Sequence, residues 1–215
     1  MIRCVAFDFD GTLVDSNRIK QELFFEVAAA FSGSVSAMGD VLRETRGDRF
    51  EIFRRFIERS PELLIPNAAD PAAALAAEYT RRCECAIAVC ATIPGAERLL
   101  DGLRSQRVMA AVVSATPTVP LESVIARRGW QPRFAYVLGD AADKAVSLRQ
   151  LAAKAGLGPH EIVMVGDRQV DKAGAASFGC AFVGVTRPDS DFTEPPTWSV
   201  TDLGGVMRLI GLEDR

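Results

Sequence analysis

Four places in the sequence carry residues whose types and spacing suit the handling of a multiply charged anion. The first is the run Phe7-Asp8-Phe9-Asp10-Gly11-Thr12. Asp8 and Asp10 stand two apart at the end of an apolar stretch, so an extended backbone turns both side chains to the same side. Carboxylates that close repel unless a cation or a shared proton offsets them. A hard divalent ion such as Mg2+, which prefers oxygen ligands, is the natural partner. Gly11 allows a sharp turn, after which its amide and that of Thr12 would face an oxyanion. Phosphoryl transfer requires neutralising charge on the transferring group and placing nucleophile and leaving group in line. Asp-Gly is equally a common turn closing a strand, and alone the run does not choose between the two.

The second place is Ser114, which follows the apolar run Met109–Val113 and precedes Ala115-Thr116-Pro117. A hydroxyl there either hydrogen-bonds a phosphate oxygen or caps the next helix, and Thr116 competes for the same role. The third is Lys144, opening the segment Lys144–Ala155 after Gly139-Asp140-Ala141-Ala142-Asp143. A lysine at a helix start opposes the macrodipole. A bound phosphate with nearby carboxylates would explain it, and so would plain solvation. The fourth is Val165-Gly166-Asp167-Arg168-Gln169-Val170-Asp171, whose carboxylates four apart share one face of a starting helical turn. Asp167 would complete a metal site with Asp8. Asp171 would hold a metal-bound water or Lys144, or else cap the helix.

These residues need elements to position them. Short, almost wholly apolar runs at 2–7, 108–113, 135–138, 162–165 and 181–185 read as parallel strands covered on both faces. Helical patterns at 95–104, 121–128 and 144–155 alternate with them, which predicts a doubly wound, Rossmann-like α/β core. Segment 17–91 shows no strand pattern and reads as helices at 19–31, 41–46, 49–58 and 72–89, punctuated by Pro61, Pro66 and Pro71. The expected organisation is a core of 1–16 and 92–215 with an all-helical cap of 17–91. A short strand and helix follow the proline-rich stretch 188–196. All four candidate places follow a predicted strand, and in such sheets the strand tips converge on one crevice where ligands bind.

Bulk properties narrow the partners. A net charge of −3 leaves no electrostatic footprint for nucleic acid or an anionic membrane. No stretch approaches the ~20 apolar residues that span a bilayer. The first apolar run breaks at Asp8, too early for a secretory leader. Five cysteines, an odd count without a regular framework, predict reduced thiols and a cytoplasmic protein. Cys83, Cys85 and Cys90 lie close together, but they form no CxxC pair and the single histidine is the distant His160. They are expected to be small buried side chains in a helix rather than zinc ligands.

With these motifs in this order, the chain resembles the haloacid dehalogenase-like (HAD) hydrolase superfamily over essentially its whole length. The DxDGT motif is Asp8-Phe9-Asp10-Gly11-Thr12, continued by Leu13-Val14-Asp15-Ser16 as in phosphoglycolate-phosphatase-like members. The second-motif hydroxyl falls on Ser114, the lysine on Lys144 and the acidic GDxxxD on Gly166-Asp167 to Asp171. The helical insert sits where members of the C1-cap type carry theirs. The resemblance implies that Asp8 attacks phosphorus to form an aspartyl-phosphate. Asp10 would protonate the leaving alkoxide and then take a proton from water. Mg2+ would be bound by the Asp8 and Asp167 carboxylates and the Asp10 carbonyl, with Asp171 either direct or behind a water. Gly11, Thr12, Ser114, Ala115 and Lys144 would cradle the phosphoryl group.

Haloacid dehalogenases and phosphonatases lack an acid at the position of Asp10, so its presence here favours phosphate esters. A phosphosugar mutase uses the same core residues and stays open. So does, in a different class, a non-hydrolytic phosphoacceptor or binding module, although receiver domains carry no large insert. In the cap, Arg49 is the first choice for an anionic substrate tail, ahead of Arg43 and Arg46. Arg49-Phe50-Glu51-Ile52-Phe53-Arg54, with Val113–Pro117 in the core, is similar to a HAD subgroup associated with surface-carbohydrate synthesis. That implies a sugar phosphate, with a phosphoglycolate-like substrate next. The expected partner is thus a small-molecule phosphate ester, with monomer and homodimer both open.

Overall fold

The apolar runs become strands where expected: β1 (Cys4–Phe7), β2 (Met109–Val113), β3 (Tyr136–Leu138), β4 (Ile162–Gly166) and β5 (Ala181–Val185), joined by a two-residue β6 (Ser199–Val200). The structure is a computed structural model and describes residues 1–31, 33–45, 47–60 and 68–212; Arg46, Pro61 and Pro66 lie outside them. The pairings between these strands are parallel and the order is β3-β2-β1-β4-β5-β6. This is the doubly wound order in which the winding reverses at the central strand and opens a crevice beyond the strand tips. The register makes the crevice even-edged. Phe7 lies beside both Val112 and Val165, so the residues following β1, β2 and β4 leave the sheet at one level.

The helices are α1 (Asn17–Ala30), α2 (Val35–Glu44), α3 (Arg49–Glu58), α4 (Pro71–Val89), α5 (Ala96–Ser105), α6 (Thr118–Arg127), α7 (Lys144–Ala155), α8 (Gln169–Phe178) and α9 (Val206–Leu209). The chain divides into two compact units, Met1–Asn17 with Ala88–Arg215, and Arg18–Ile87.

In the first unit, every residue of β1 is buried. One face of the sheet, with Cys4, Ala6, Ala111, Val113, Ile162 and Met164, packs on Leu148 and Leu151 of α7 and Ala175 of α8. On alternate positions Val5, Phe7, Val112 and Val163 are equally buried. Burial on both faces is why these strands show no polar alternation in sequence. α7 is bounded by local chemistry: Asp143 caps its start through the Ala145 and Val146 amides, and Gly156 ends it at φ 64°.

The second unit is wholly helical within its described residues. Phe24, Phe53 and Tyr79 form its aromatic centre, with Phe24 stacked on Tyr79 at 4.1 Å and Phe53 edge-on to Tyr79 at 5.9 Å. α3 begins where expected, because the Asp48 carboxylate accepts the Phe50 and Glu51 amides. α2 begins six residues earlier than the 41–46 pattern predicts. Ser34 caps it by accepting the Ala37 amide, a local signal that outweighs the weak apolar periodicity of Val35–Asp40. Of the clustered cysteines, Cys83 is buried as expected while Cys85 is exposed, because two residues along a helix face different ways. No helix among the described residues is long and apolar enough to cross a membrane.

Candidate active site

β1 ends at Phe7, and the chain then closes a tight loop. The Leu13 amide bonds the Phe9 carbonyl, and the Gly11 amide donates to the Val14 carbonyl at 2.8 Å. Gly11 takes φ 76°, a left-handed conformation that a side chain resists. Val14 is bridged to Asp10 on one side and Thr92 on the other. The expectation that the Gly11 amide faces an oxyanion therefore meets a competing partner, since that N–H is already spent on the loop. Thr12 is fully buried, and its hydroxyl donates to Asp167 Oδ1 at 2.9 Å.

Asp8, Asp167 and Asp171 converge, each offering an oxygen within 4.8 Å of the others, and all three are buried. Lys144 reaches into the same space. Its Nζ lies 2.6 Å from Asp8 Oδ1, 2.6 Å from the Val113 carbonyl and 3.0 Å from Asp171 Oδ1. At 5% exposure Lys144 is not a solvated surface lysine. Its place at the start of α7, unfavourable for the helix dipole, is explained by these carboxylates. Burial disfavours its charge, but Asp8 and Asp171 outweigh that and hold its pKa above the ordinary lysine value.

Asp171 performs both tasks that its position allows. Its Oδ2 accepts the Arg168 amide and so caps α8, while Oδ1 faces Lys144. That Oδ1 has no aligned hydrogen bond although it is buried. Burial, and after it the charge of Asp8, pushes the Asp167 carboxyl up to about 6 and raises Asp171 as well. Three buried carboxylates face the Lys144 ammonium, with the Arg168 guanidinium 3.4 Å from Asp167 at the edge, which leaves negative charge uncompensated, and an all-oxygen donor set suits a hard divalent cation such as Mg2+. The residues present fit that ion.

Asp10 is half-buried and held quite differently. Ser16 Oγ donates to its Oδ1 at 2.6 Å and Thr116 Oγ1 to its Oδ2 at 2.7 Å. Two hydroxyls thus orient this acid. Ser114 follows β2, is buried, and accepts the Thr116 amide at 3.1 Å; Ala115 beside it is exposed. In the second unit, Arg49 lies over the Phe50 ring at 4.7 Å, and its buried Nε has no hydrogen-bond partner among the described residues.

The haloacid dehalogenase-like hydrolase model matches residues 2–179, most of the chain. The chain belongs to the haloacid dehalogenase-like hydrolases. Phosphoglycolate phosphatase of Mannheimia succiniciproducens is 30% identical over 128 residues, covering 54% of this HAD chain and 56% of that protein. The chain therefore spans little more than half the length of this curated relative. Phosphoglycolate phosphatase of Synechococcus elongatus is 27% identical over 187 residues, covering 86% and 84%. Among solved structures, a predicted phosphoglycolate phosphatase from Haemophilus somnus aligns over 97% of this HAD chain and 98% of its own, with TM-score 0.76 and 22% identity. CbbY from Rhodobacter sphaeroides in complex with phosphate aligns over 96% of each chain, with TM-score 0.75 and 17% identity. Both structures share the fold of this HAD chain.

The contacts of Ser16 and Thr116 with Asp10, and of Asn17 with Asp167, have no counterpart in the sequence motifs. Ser16 and Asn17 follow the motif directly, and two polar residues running into a helix start are a visible signal of capping or site contacts. Thr116 stands out only as an alternative to Ser114. Its partner lies 106 positions away and becomes visible only when β1 and β2 pair.

Proposed function

We propose that this chain is a Mg2+-dependent phosphatase acting on a small phosphate monoester through an aspartyl-phosphate on Asp8. The observation that carries the reading is the pairing of two unlike acids. Asp8 sits in a buried carboxylate cluster against Lys144, while Asp10, two residues on, is held apart by two hydroxyls. A nucleophile needs its charge neutralised, whereas a general acid–base needs to exchange a proton.

In the first step an Asp8 oxygen bonds to phosphorus as the ester P–O bond breaks, and the Asp10 carboxylic acid protonates the departing alkoxide. In the second, the Asp10 carboxylate takes a proton from water as that water attacks phosphorus, which frees phosphate and restores Asp8. Lys144 holds Asp8 in place and adds positive charge beside the transferring group. Mg2+, held by Asp8, Asp167 and Asp171 with the Asp10 carbonyl, would offset the carboxylates and neutralise phosphoryl oxygens. Ser114, Ala115, Gly11 and Thr12 are proposed to contact the phosphoryl group, Gly11 through its backbone shape rather than through its N–H.

The relatives named as phosphoglycolate phosphatases support a small substrate. A sugar phosphate is the first candidate and phosphoglycolate the second. Arg49 is proposed for the substrate's anionic tail, which its unpartnered Nε supports. The helical unit is proposed to act as a cap that selects the substrate. The free cysteines suit a reducing, cytoplasmic setting.

The test is phosphate release from a panel of monoesters, with and without Mg2+. We expect Mg2+-dependent turnover that Asp8→Asn abolishes and that Asp10→Asn slows by about 10²–10⁴-fold. Turnover that survives Asp8→Asn would overturn the mechanism. No turnover on any monoester, together with stable phosphorylation of Asp8, would favour the phosphoacceptor reading.

A further inference from the structure

Asp167 is held by more than its neighbours in the acidic cluster. Its Oδ1 accepts the Thr12 hydroxyl, and its Oδ2 accepts one N–H of the Asn17 amide at 2.9 Å. The other N–H of the same amide reaches Asp189 Oδ2, also at 2.9 Å. Asp189 lies on the loop after β5, which is itself tied down. The Arg187 amide donates to Ser190 Oγ, and that hydroxyl donates to the Val185 carbonyl. Arg187 also reaches Asp15 Oδ1 at 2.9 Å, with its Nε 3.9 Å from Asp189 Oδ1. A continuous path of polar contacts therefore runs from Asp15 through Arg187, Asp189 and Asn17 to Asp167.

We propose that Asn17 is a positioning residue for Asp167, and that Asp189 sets Asn17 in turn; this rests on the Mg2+-dependent reading above. The chemistry of the donor is the reason. A cation-binding carboxylate must be oriented without losing its negative charge, and an arginine or lysine on the same oxygen would repel the incoming ion. A neutral amide fixes the geometry and adds no charge. It also stands between two carboxylates that would otherwise face each other. Arg168, whose Nε lies 3.4 Å from Asp167 Oδ2, is more distant and more exposed. Gly11 belongs to the same device. A Cβ there would overlap both Asn17 Nδ2 and Asp167 Oδ2, so the glycine clears the space in which the bond forms.

Groups behind a metal ligand typically cost 10–100-fold in metal affinity when removed. Asn17→Ala is accordingly expected to raise the Mg2+ concentration that half-saturates thermal stabilisation about tenfold or more. Its kcat at saturating Mg2+ should change far less, and its melting temperature in EDTA should stay near that of the wild type. Asp189→Ala should move the Mg2+ midpoint in the same direction by less. Asp189→Asn, whose amide oxygen still accepts from Asn17, should restore it. If Asn17→Ala does not fold, the two Asp189 variants decide the matter. Midpoints within about twofold of the wild type in Asn17→Ala and Asp189→Ala would overturn the inference alone. A wild-type chain that takes up no Mg2+ would overturn the functional reading, and the inference with it.

Discussion

At Lys144 a single ammonium answers three oxygens: one of Asp8, one of Asp171 and the Val113 carbonyl. The same residue is both a candidate catalytic group and a structural neutraliser, and the two roles separate by measurement. Removing one partner from a buried ion pair leaves an uncompensated charge and costs about 3–5 kcal/mol. Lys144→Met, close in volume but uncharged, is expected to lose that much stability by urea denaturation and to lose turnover. A variant as stable as the wild type would mean that Asp8 and Asp171 find compensation elsewhere. Asp8, Asp10, Lys144, Asp167 and Asp171 are all legible in the sequence, because each lies at the end of an apolar run or in the loop or helix start that follows one. Thr116 as a partner of Asp10, and Asn17 as a partner of Asp167, are not. Spacing records what a residue type can do, but not which oxygen it meets.

The elements place these side chains by close approach. α7 and α8 come together where Gly174 faces Lys144, and a Cβ at that glycine would overlap the Lys144 Cβ and press on the Ala145 amide. Gly174→Ala gains about 1 kcal/mol of helix propensity but forces a packed helix pair apart at roughly 1–3 kcal/mol. We expect overpacking to win: a modest loss of melting temperature and a clear loss of turnover as Lys144 shifts. Turnover at the wild-type level would show that the approach of the helices does not set the lysine.

α4 offers a pH test of local electrostatics. Glu78 accepts from Arg81 at 2.8 and 2.9 Å and from Arg82 at 2.7 Å, and these hydrogen bonds hold its carboxyl at about 2, below the ordinary 4.5. A depressed acid contributes stability above its unfolded value and loses it as pH falls through its folded one. Glu78→Gln should therefore melt below the wild type at neutral pH, with the gap closing as pH drops from 4.5 toward 2. A gap that stays constant with pH would assign the effect to packing.

At the scale of the whole molecule, the parallel order β3-β2-β1-β4-β5-β6 makes one edge of the sheet the meeting point of four separate stretches of chain. A cation bound there stabilises only the folded state, by about 2.7 kcal/mol at a hundredfold excess over Kd. Mg2+ should raise the melting temperature by several degrees and EDTA should reverse it, while Asp167→Asn should abolish the shift. No response in the wild type would count against the carboxylate cluster as a Mg2+ site.

From the sequence alone come the carboxyl ends of the strands, the helices α1 to α4 among the described residues between β1 and β2, and the residue types at each strand tip. All of these are local: apolar runs, helical periodicity and motifs read within a few residues. Where a capping residue rather than apolar periodicity sets the start of a helix, as Ser34 does for α2, the boundary lies ahead of the periodic pattern. The tertiary structure alone decides which donor takes which oxygen. Ser16 and Thr116 share Asp10, Thr12 and Asn17 share Asp167, and Lys144 divides itself between Asp8 and Asp171. Most of these partners lie a hundred or more positions apart, brought together by strand register and helix packing, and a burial-driven pairing of that kind leaves no trace in the spacing of either residue.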